Sequence, residues 1–115
     1  MTSRMYGIPN CDAVRKARKW LEQRGLTYEF VDLKADVPSR GQLEDWLDRV
    51  GGERLINRRS TTWKALSEEE KLKALEGDPV AVLQAHPTLI KRPLLEHDSA
   101  ILVGFSEEDY QINLT

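Results

Sequence analysis

The feature that most constrains the fold is a strand–helix–strand pattern at the start of the chain. Residues 1–10 predict a short strand that runs into a turn. Asn10 is expected to cap a helix that Gly25 ends. The apolar residues of this helix recur at helical spacing: Ala13, Ala17, Trp20 and Leu21. Residues 26–33 are rich in aromatic and branched side chains and predict a second strand. The two strands of such a βαβ unit run parallel, which indicates an α/β fold.

The middle of the chain, residues 36–87, predicts an all-helical insert. Residues 39–50 carry an amphipathic helical pattern. Ser67, followed three residues later by Glu70, matches a capping box at the start of another helix. We expect that helix to turn two leucines inward and two lysines outward, namely Leu72 and Leu75, and Lys71 and Lys73. A further short helix is predicted to begin at Asp78-Pro79, since proline suits a first turn.

The last part of the chain, residues 88–115, predicts a ββα unit. Residues 88–91 and 100–103 have the composition of strands joined by a short hairpin. Ser106 is placed to cap a terminal helix. Together with a βαβ half over residues 1–35, this predicts one α/β domain with a mixed sheet, interrupted by the helical insert.

The composition excludes several classes of protein. Apolar residues make up 40% of the chain and charged residues 31%, as in globular rather than disordered proteins. The net charge of −2 argues against a dedicated nucleic-acid binder. No apolar run approaches the roughly 20 residues of a membrane helix, and no secretion signal is visible, so we expect a cytoplasmic protein without membrane partners. All 17 lysines and arginines lie at or before Arg92, which favours that part of the chain for an anionic ligand.

Cys11 is the first candidate for chemistry. It is the only cysteine, so an internal disulfide is excluded. It follows the predicted helix cap, where backbone N–H groups and the helix dipole favour a thiolate, and Arg15 lies one turn further on the same face. We therefore expect Cys11 to favour the thiolate, opposed in part by the charge of Asp12. The alternative is a buried cysteine that acts as a small apolar residue.

Three arginines form the second group of candidates. A proline at the entry of an apolar strand indicates an edge position or a special bend such as a cis bond, and Arg92-Pro93 is such a site. Arg58 and Arg59 are adjacent and precede a run of hydroxyl residues. Guanidinium groups bind oxyanions and carboxylates through a planar fork of donors. The alternative for these arginines is a solvated surface.

Other kinds of site have no support in the sequence. His86 and His97 lack partners at metal-ligand spacing, and a single cysteine gives no legible zinc site. The chain also has no phosphate loop and no dinucleotide-binding glycine motif. We therefore expect neither a metal nor a nucleotide cofactor.

Four separate segments carry a family resemblance. They are Tyr6-Gly7-Ile8-Pro9-Asn10-Cys11-Asp12, Arg59-Ser60-Thr61-Thr62-Trp63, Ile90-Lys91-Arg92-Pro93-Leu94-Leu95, and Gly104-Phe105-Ser106 with Tyr110. In this order they resemble the arsenate reductase (ArsC) family of the thioredoxin-like fold over essentially the whole chain, and within it the YffB branch. The resemblance implies that Cys11 is the nucleophile and that Pro93 is cis and faces it. It also implies that Arg92, with Arg59 or Arg58, lines an anion site.

The resemblance to the YffB branch implies a glutathione-dependent thiol reductase. Because the chain has no second cysteine, the electrons must come from glutathione or from a glutaredoxin, and the substrate is a small thiol or oxyanion compound. Glutathione is expected to pair with the backbone before Pro93 while an arginine holds one of its carboxylates. The expected binding residues are Asn10, Asp12, Arg15, Arg58, Arg59, Arg92 and Pro93.

Two departures from the wider family limit the alternatives. Arsenate reductases of this family use a third arginine after the Arg-Pro strand, where this chain has Gly104 and no later base, so efficient arsenate reduction is not expected. The related Spx regulators carry a Cys-x-x-Cys switch, and Val14 stands at the position of the second cysteine. A disulfide switch is thereby excluded. Binding to RNA polymerase without one stays open as an alternative to the enzyme.

Overall fold

A computed structural model describes residues 3–114 of the chain. Residues 1, 2 and 115 lie outside the described residues, as do the first two positions of the strand expected over residues 1–10. The strands are β1 (Ser3–Gly7), β2 (Glu29–Asp32), β3 (Leu94–His97) and β4 (Ala100–Val103). The helices are α1 (Asp12–Gln23), α2 (Arg40–Val50), α3 (Gly52–Leu55), α4 (Thr61–Ala65), α5 (Glu68–Glu76), α6 (Pro79–Ala85) and α7 (Glu107–Leu114), with a 3-10 turn at Pro87–Leu89.

The chain divides into two compact units. The first contains the residues up to Asp36 and those from Arg92 onward, and the second is Val37–Lys91. All four strands belong to the first unit, together with α1 and α7. The second unit is built from α2 to α6 and the 3-10 turn.

The sheet of the first unit is mixed and has the strand order β2-β1-β3-β4. β1 and β2 are parallel, with α1 between them in sequence, so the predicted βαβ unit is confirmed. β3 runs antiparallel to both β1 and β4. In that register Tyr6 of β1 pairs with Leu94 of β3. The predicted α/β, thioredoxin-like fold class with its mixed sheet is confirmed.

The core of the first unit forms where α1 packs on the sheet. The helix buries Val14, Ala17, Trp20 and Leu21. Three of the four predicted positions are confirmed, whereas Ala13 is only half-buried and Val14 takes its place in the core. Met5 of β1 and Leu95 of β3 are fully buried in the same cluster. Tyr110 of α7 completes it, with its ring edge-on to Trp20 at 5.5 Å and to Phe105 at 4.9 Å between centroids.

Most helix starts of the second unit follow from their caps. The side chain of Ser39 accepts a hydrogen bond from the Gln42 N–H at the start of α2. The capping box of Ser67 and Glu70 is present in α5, and Asp78 caps α6 as predicted.

The prediction that two leucines of α5 point inward is wrong, because Leu72 is 58% exposed and Leu75 is 46% exposed. The nine-residue α5 buries the small Ala74 instead, and its other apolar residues point away from that side.

The strand predicted at residues 88–91 is also wrong. That segment forms a 3-10 turn opened by Pro87, after which Ile90 makes one isolated bridge to Ile56. β3 begins only at Leu94, directly after Pro93. Because β3 lies between β1 and β4, the proline does not mark an edge strand, which leaves the other predicted alternative, a special bend. Proline stands before the ladder, where its missing N–H costs no pairing.

Replacing the core tyrosine with phenylalanine should stabilise the protein. The Tyr110 hydroxyl is buried, has no hydrogen-bond partner among residues 3–114, and has its pKa raised by that burial. A buried hydroxyl without a partner costs about 1–3 kcal/mol. We expect Tyr110→Phe to raise the free energy of unfolding in urea by about 1 kcal/mol. Tyr6→Phe is the control, because the Tyr6 hydroxyl donates to Glu96 at 2.9 Å and its loss should destabilise. Equal destabilisation by both variants would contradict this account.

Candidate active site

Cys11 is the N-cap of α1. Its backbone is extended, with φ −96° and ψ 128°, and its carbonyl accepts the Arg15 N–H at 3.0 Å. Its own N–H donates to the Ile8 carbonyl at 3.3 Å, which closes a turn that includes Asn10. The prediction of Asn10 as the cap is therefore wrong by one residue. The Cys11 side chain makes no capping hydrogen bond to the first turn of α1. It is half-buried and packs against the core cluster at the positive end of the helix.

A close contact between β1 and α1 fixes the position of Cys11. A Cβ atom placed on Gly7 would lie 2.7 Å from Cγ2 of Val14, which is fully buried. Only glycine at the end of β1 lets the first turn of α1 lie this near to the strand. The strand and turn predicted over residues 1–10 did not include this packing role of Gly7. A glycine at a strand end just before a helix is the signal that pointed to it.

Arg92 and Pro93 lie at the same end of the sheet as Cys11. β1 leads from Gly7 into the loop that ends at Cys11, and antiparallel β3 starts at Leu94, opposite Tyr6. The Arg92–Pro93 peptide bond is cis, and Pro93 is buried. The Pro93 carbonyl accepts a hydrogen bond of 2.8 Å from the N–H of Gly104. The first unit thus gathers Cys11, Arg92 and Pro93 at one sheet end.

The charged residues next to Cys11 pair with each other at the surface. Arg15 Nη1 lies 3.1 Å from Asp12 Oδ1, and their side chains are 61% and 87% exposed. The predicted stabilisation of the thiolate by Arg15 therefore competes with this ion pair. Asn10 is exposed in the turn before Cys11.

Arg58 and Arg59 belong to the second unit and are both exposed. The Arg58 guanidinium lies over the Trp63 ring at 5.8 Å from its centroid. The Arg59 N–H donates to Asn57 Oδ1 at 3.1 Å, within the turn that precedes α4. Their part in the binding site stays a prediction.

The two histidines hydrogen-bond to other side chains. His86 Nε2 lies 2.8 Å from Glu70 Oε2, and His97 Nδ1 lies 2.6 Å from Ser3 Oγ. The first bond lowers the pKa of Glu70. Within residues 3–114, no group of three or more His, Cys, Asp or Glu side chains is arranged to hold a metal ion. In the same range, no helix has the length and apolar character needed to cross a bilayer.

Comparison with known proteins identifies the family. Residues 6–113 match the model of the ArsC family. The chain belongs to the ArsC family. An uncharacterized protein of Haemophilus influenzae is 39% identical over 93% of this chain and 94% of its own length. A solved structure named YFFB (PA3664) protein superposes with a TM-score of 0.92 at 36% identity, covering 98% of this chain and 99% of that one.

The family includes relatives of another kind. The global transcriptional regulator Spx of Listeria innocua is 26% identical over 91% of this chain and 81% of its own length. The resemblance to the ArsC family, the YffB branch and Spx is thus confirmed. Because family members include arsenate reductase-like proteins and regulators, membership indicates thiol-based chemistry without fixing the reaction.

Filling the space at Gly7 should disturb the site and the stability together. We expect Gly7→Ala to lower the free energy of unfolding by about 1–3 kcal/mol, because the new methyl group meets stiff, buried Val14. In the Gly7→Ala background, Val14→Ala should cost less than it does in the natural chain. Gly41→Ala in α2 is the matched control, since no atom beyond its chain neighbours and its own helix backbone lies within 4 Å of the added Cβ. Urea unfolding that shows the same change for both glycine variants would contradict the close contact.

Proposed function

We propose that this protein is a glutathione-dependent thiol reductase with Cys11 as its nucleophile. The observation that carries the proposal is the position of the Cys11 sulfur at the N-cap of the 12-residue α1. A sulfur anion there is stabilised by unsatisfied N–H groups and by the helix dipole. Membership of the ArsC family supports the proposal, since members of this family include arsenate reductase-related proteins.

In the first step the Cys11 thiolate attacks the glutathione sulfur of a mixed disulfide between glutathione and a substrate thiol. The new bond joins Cys11 to glutathione, and the substrate leaves as a thiolate that takes a proton from water. The substrate thiol is reduced by this exchange, and Cys11 is oxidised to a mixed disulfide. The helix start that stabilises the Cys11 thiolate also makes it a good leaving group in the second step.

The second step needs an external thiol because the chain has one cysteine. The thiolate of a second glutathione attacks the glutathione sulfur held on Cys11. Oxidised glutathione leaves, and the Cys11 thiolate is restored. The net exchange consumes one reduced glutathione, and the oxidised glutathione that leaves contains it and the glutathione taken from the substrate. This dependence on reduced glutathione suits a protein acting in the reducing cytoplasm. A glutaredoxin thiol is the alternative reductant for the same step.

We place glutathione beside Arg92 and Pro93, at the sheet end where Cys11 lies. Glutathione is a short extended peptide with two carboxylates, and an extended peptide pairs with exposed backbone groups. Arg92 precedes β3 at that end, and a guanidinium suits a carboxylate through a charge-assisted fork. Arg15 lies near the start of the same helix as Cys11, where its charge is paired with that of Asp12.

RNA-polymerase binding is the second candidate function, favoured by the similarity to Spx. Val14, at the position of a second switch cysteine, is fully buried in the core of the first unit, so this function would have no disulfide switch. Arsenate reduction is less well supported because Gly104 stands where the resemblance implies a third arginine. Gly104 has φ 77°, which a side chain adopts only with strain.

Titration of the Cys11→Ser variant with reduced glutathione, followed by NMR, tests the proposal. Amide shifts should concentrate at residues 9–12 and at Arg92 and its neighbours. Glutathione whose glycine carboxylate is esterified is the control ligand and should bind about tenfold more weakly, because a charge-assisted hydrogen bond is worth about 1.5–3 kcal/mol. No shifts at millimolar glutathione, or shifts confined to the second unit, would contradict the proposed site. Tight binding of purified RNA polymerase without any glutathione binding would favour the second candidate.

A further inference from the structure

A groove runs along the outer face of α1, away from the core. One depression of about 530 Å³ is lined by Arg15, Arg18, Lys19, Glu22 and Gln23. A second, of about 480 Å³, shares Arg18 and Glu22 and continues over Leu26, Thr27, Tyr28 and Phe30. We call the two together the α1 groove. It lies entirely within the first unit.

The centre of the groove is an arginine held in a fixed orientation. The Arg18 guanidinium lies over the Phe30 ring at 4.4 Å from its centroid, and its Nε–H donates to the Tyr28 hydroxyl at 2.9 Å. That hydroxyl in turn donates to Glu22 Oε2 at 2.8 Å. Burial raises the pKa of Tyr28, which keeps the hydroxyl protonated and able to make both bonds. Tyr28 is therefore a positioning residue for Arg18.

The groove presents cationic donors that the protein itself leaves available. Within residues 3–114, neither Nη atom of Arg18 nor the Nζ atom of Lys19 has a hydrogen-bond partner. The one acid that lines the groove, Glu22, already accepts from Tyr28. A chain with a net charge of −2 thus carries a locally positive groove whose floor is aromatic and apolar.

The groove continues the face of α1 on which Cys11 stands. Arg15, Arg18 and Glu22 follow Cys11 by four, seven and eleven residues, the spacing that keeps side chains on one helix face. At 1.5 Å per residue, Arg18 and Lys19 lie about 10–12 Å along the helix axis from Cys11. About three to four residues of extended peptide cover that length.

We propose that the α1 groove docks an acidic segment of a protein substrate whose disulfide is reduced at Cys11. This inference rests on the proposed function and specifies its substrate class. Carboxylates about three to five residues from the reacting cysteine would reach Arg18 and Lys19, and neighbouring apolar side chains would lie on Phe30 and Leu26. In one mixed disulfide, the glutathione half would then bind at the sheet end beside Arg92 and Pro93, and the protein half would bind in the α1 groove.

Glutathionylated peptides test the docking groove. One peptide carries three glutamates about three to five residues from its cysteine, and its partner carries glutamines there. The acidic peptide should have a kcat/KM about 3–10-fold higher, because a few exposed charge pairs contribute modestly and steer association. Salt at about 0.5 M should reduce the ratio towards one. Moving the glutamates about ten residues away should do the same.

Variants test whether the preference for the acidic peptide arises in the α1 groove. Arg18→Gln and Lys19→Gln should each lower the acidic-to-neutral ratio towards one, and Tyr28→Phe should lower it about twofold by releasing Arg18. Lys64→Gln removes the same charge from an exposed position on α4 of the second unit and should leave the ratio unchanged. An unchanged ratio in Arg18→Gln and Lys19→Gln would overturn the proposal, as would a ratio of one in the natural protein.

Binding is measured separately from turnover, with an acidic peptide that has serine in place of cysteine. NMR shifts should appear at Arg18, Lys19 and Phe30, and their absence would overturn the docking groove whatever the turnover. Inorganic phosphate or free glutamate binding as tightly as the peptide would assign a small-anion site and also overturn the proposal. Peptide binding in the groove without turnover of any glutathione mixed disulfide would overturn the proposed function and leave the groove as a docking surface.

Discussion

The close approach of α1 to β1 is the constraint on which the rest of the first unit depends. It requires glycine at position 7, because any Cβ there would lie 2.7 Å from Val14. With the helix this near, the link from strand to helix takes only the short turn closed by the Cys11–Ile8 hydrogen bond. Cys11 therefore becomes the N-cap at the sheet end, which places it at the positive end of the helix. The contact between Gly7 and Val14 therefore determines both the packing of α1 and the position of Cys11.

Features that depend on neighbours in sequence were predictable. The capping box at Ser67, the caps at Ser39 and Asp78, the parallel β1–β2 pair and the buried stripe of α1 all follow from local patterns. Cys11 stood out for the same reason, since it lies between a strand and an amphipathic helix. Its role as the cap itself depends on the turn hydrogen bond to Ile8, which composition does not reveal.

Features that depend on tertiary packing were not predictable. The sequence pattern of Leu72 and Leu75 matches a buried face, yet α5 is short and packs through Ala74. Residues 88–91 have strand composition, but a proline lies on each side of them. Pro87 opens a 3-10 turn, and β3 begins only after Pro93, at Leu94. The arrangement of the expected site residues was not visible in local sequence patterns either. Cys11, Arg92 and Pro93 meet at one sheet end, whereas Arg58 and Arg59 lie in the other unit. Tyr28 and Arg18 were missed because their contact joins α1 to the segment before β2.

The central claim is that the start of α1 makes Cys11 a nucleophile whose glutathione adduct is an intermediate. Intact mass spectrometry of the reduced protein, mixed with oxidised glutathione and sampled over time, tests it directly. The same chain unfolded in urea is the control, because it keeps Cys11 and loses the helix. We predict one glutathione on Cys11, formed about tenfold or more faster in the folded protein, and removed when reduced glutathione is added. An adduct that forms no faster than in the unfolded chain, or that reduced glutathione fails to remove, would contradict the claim.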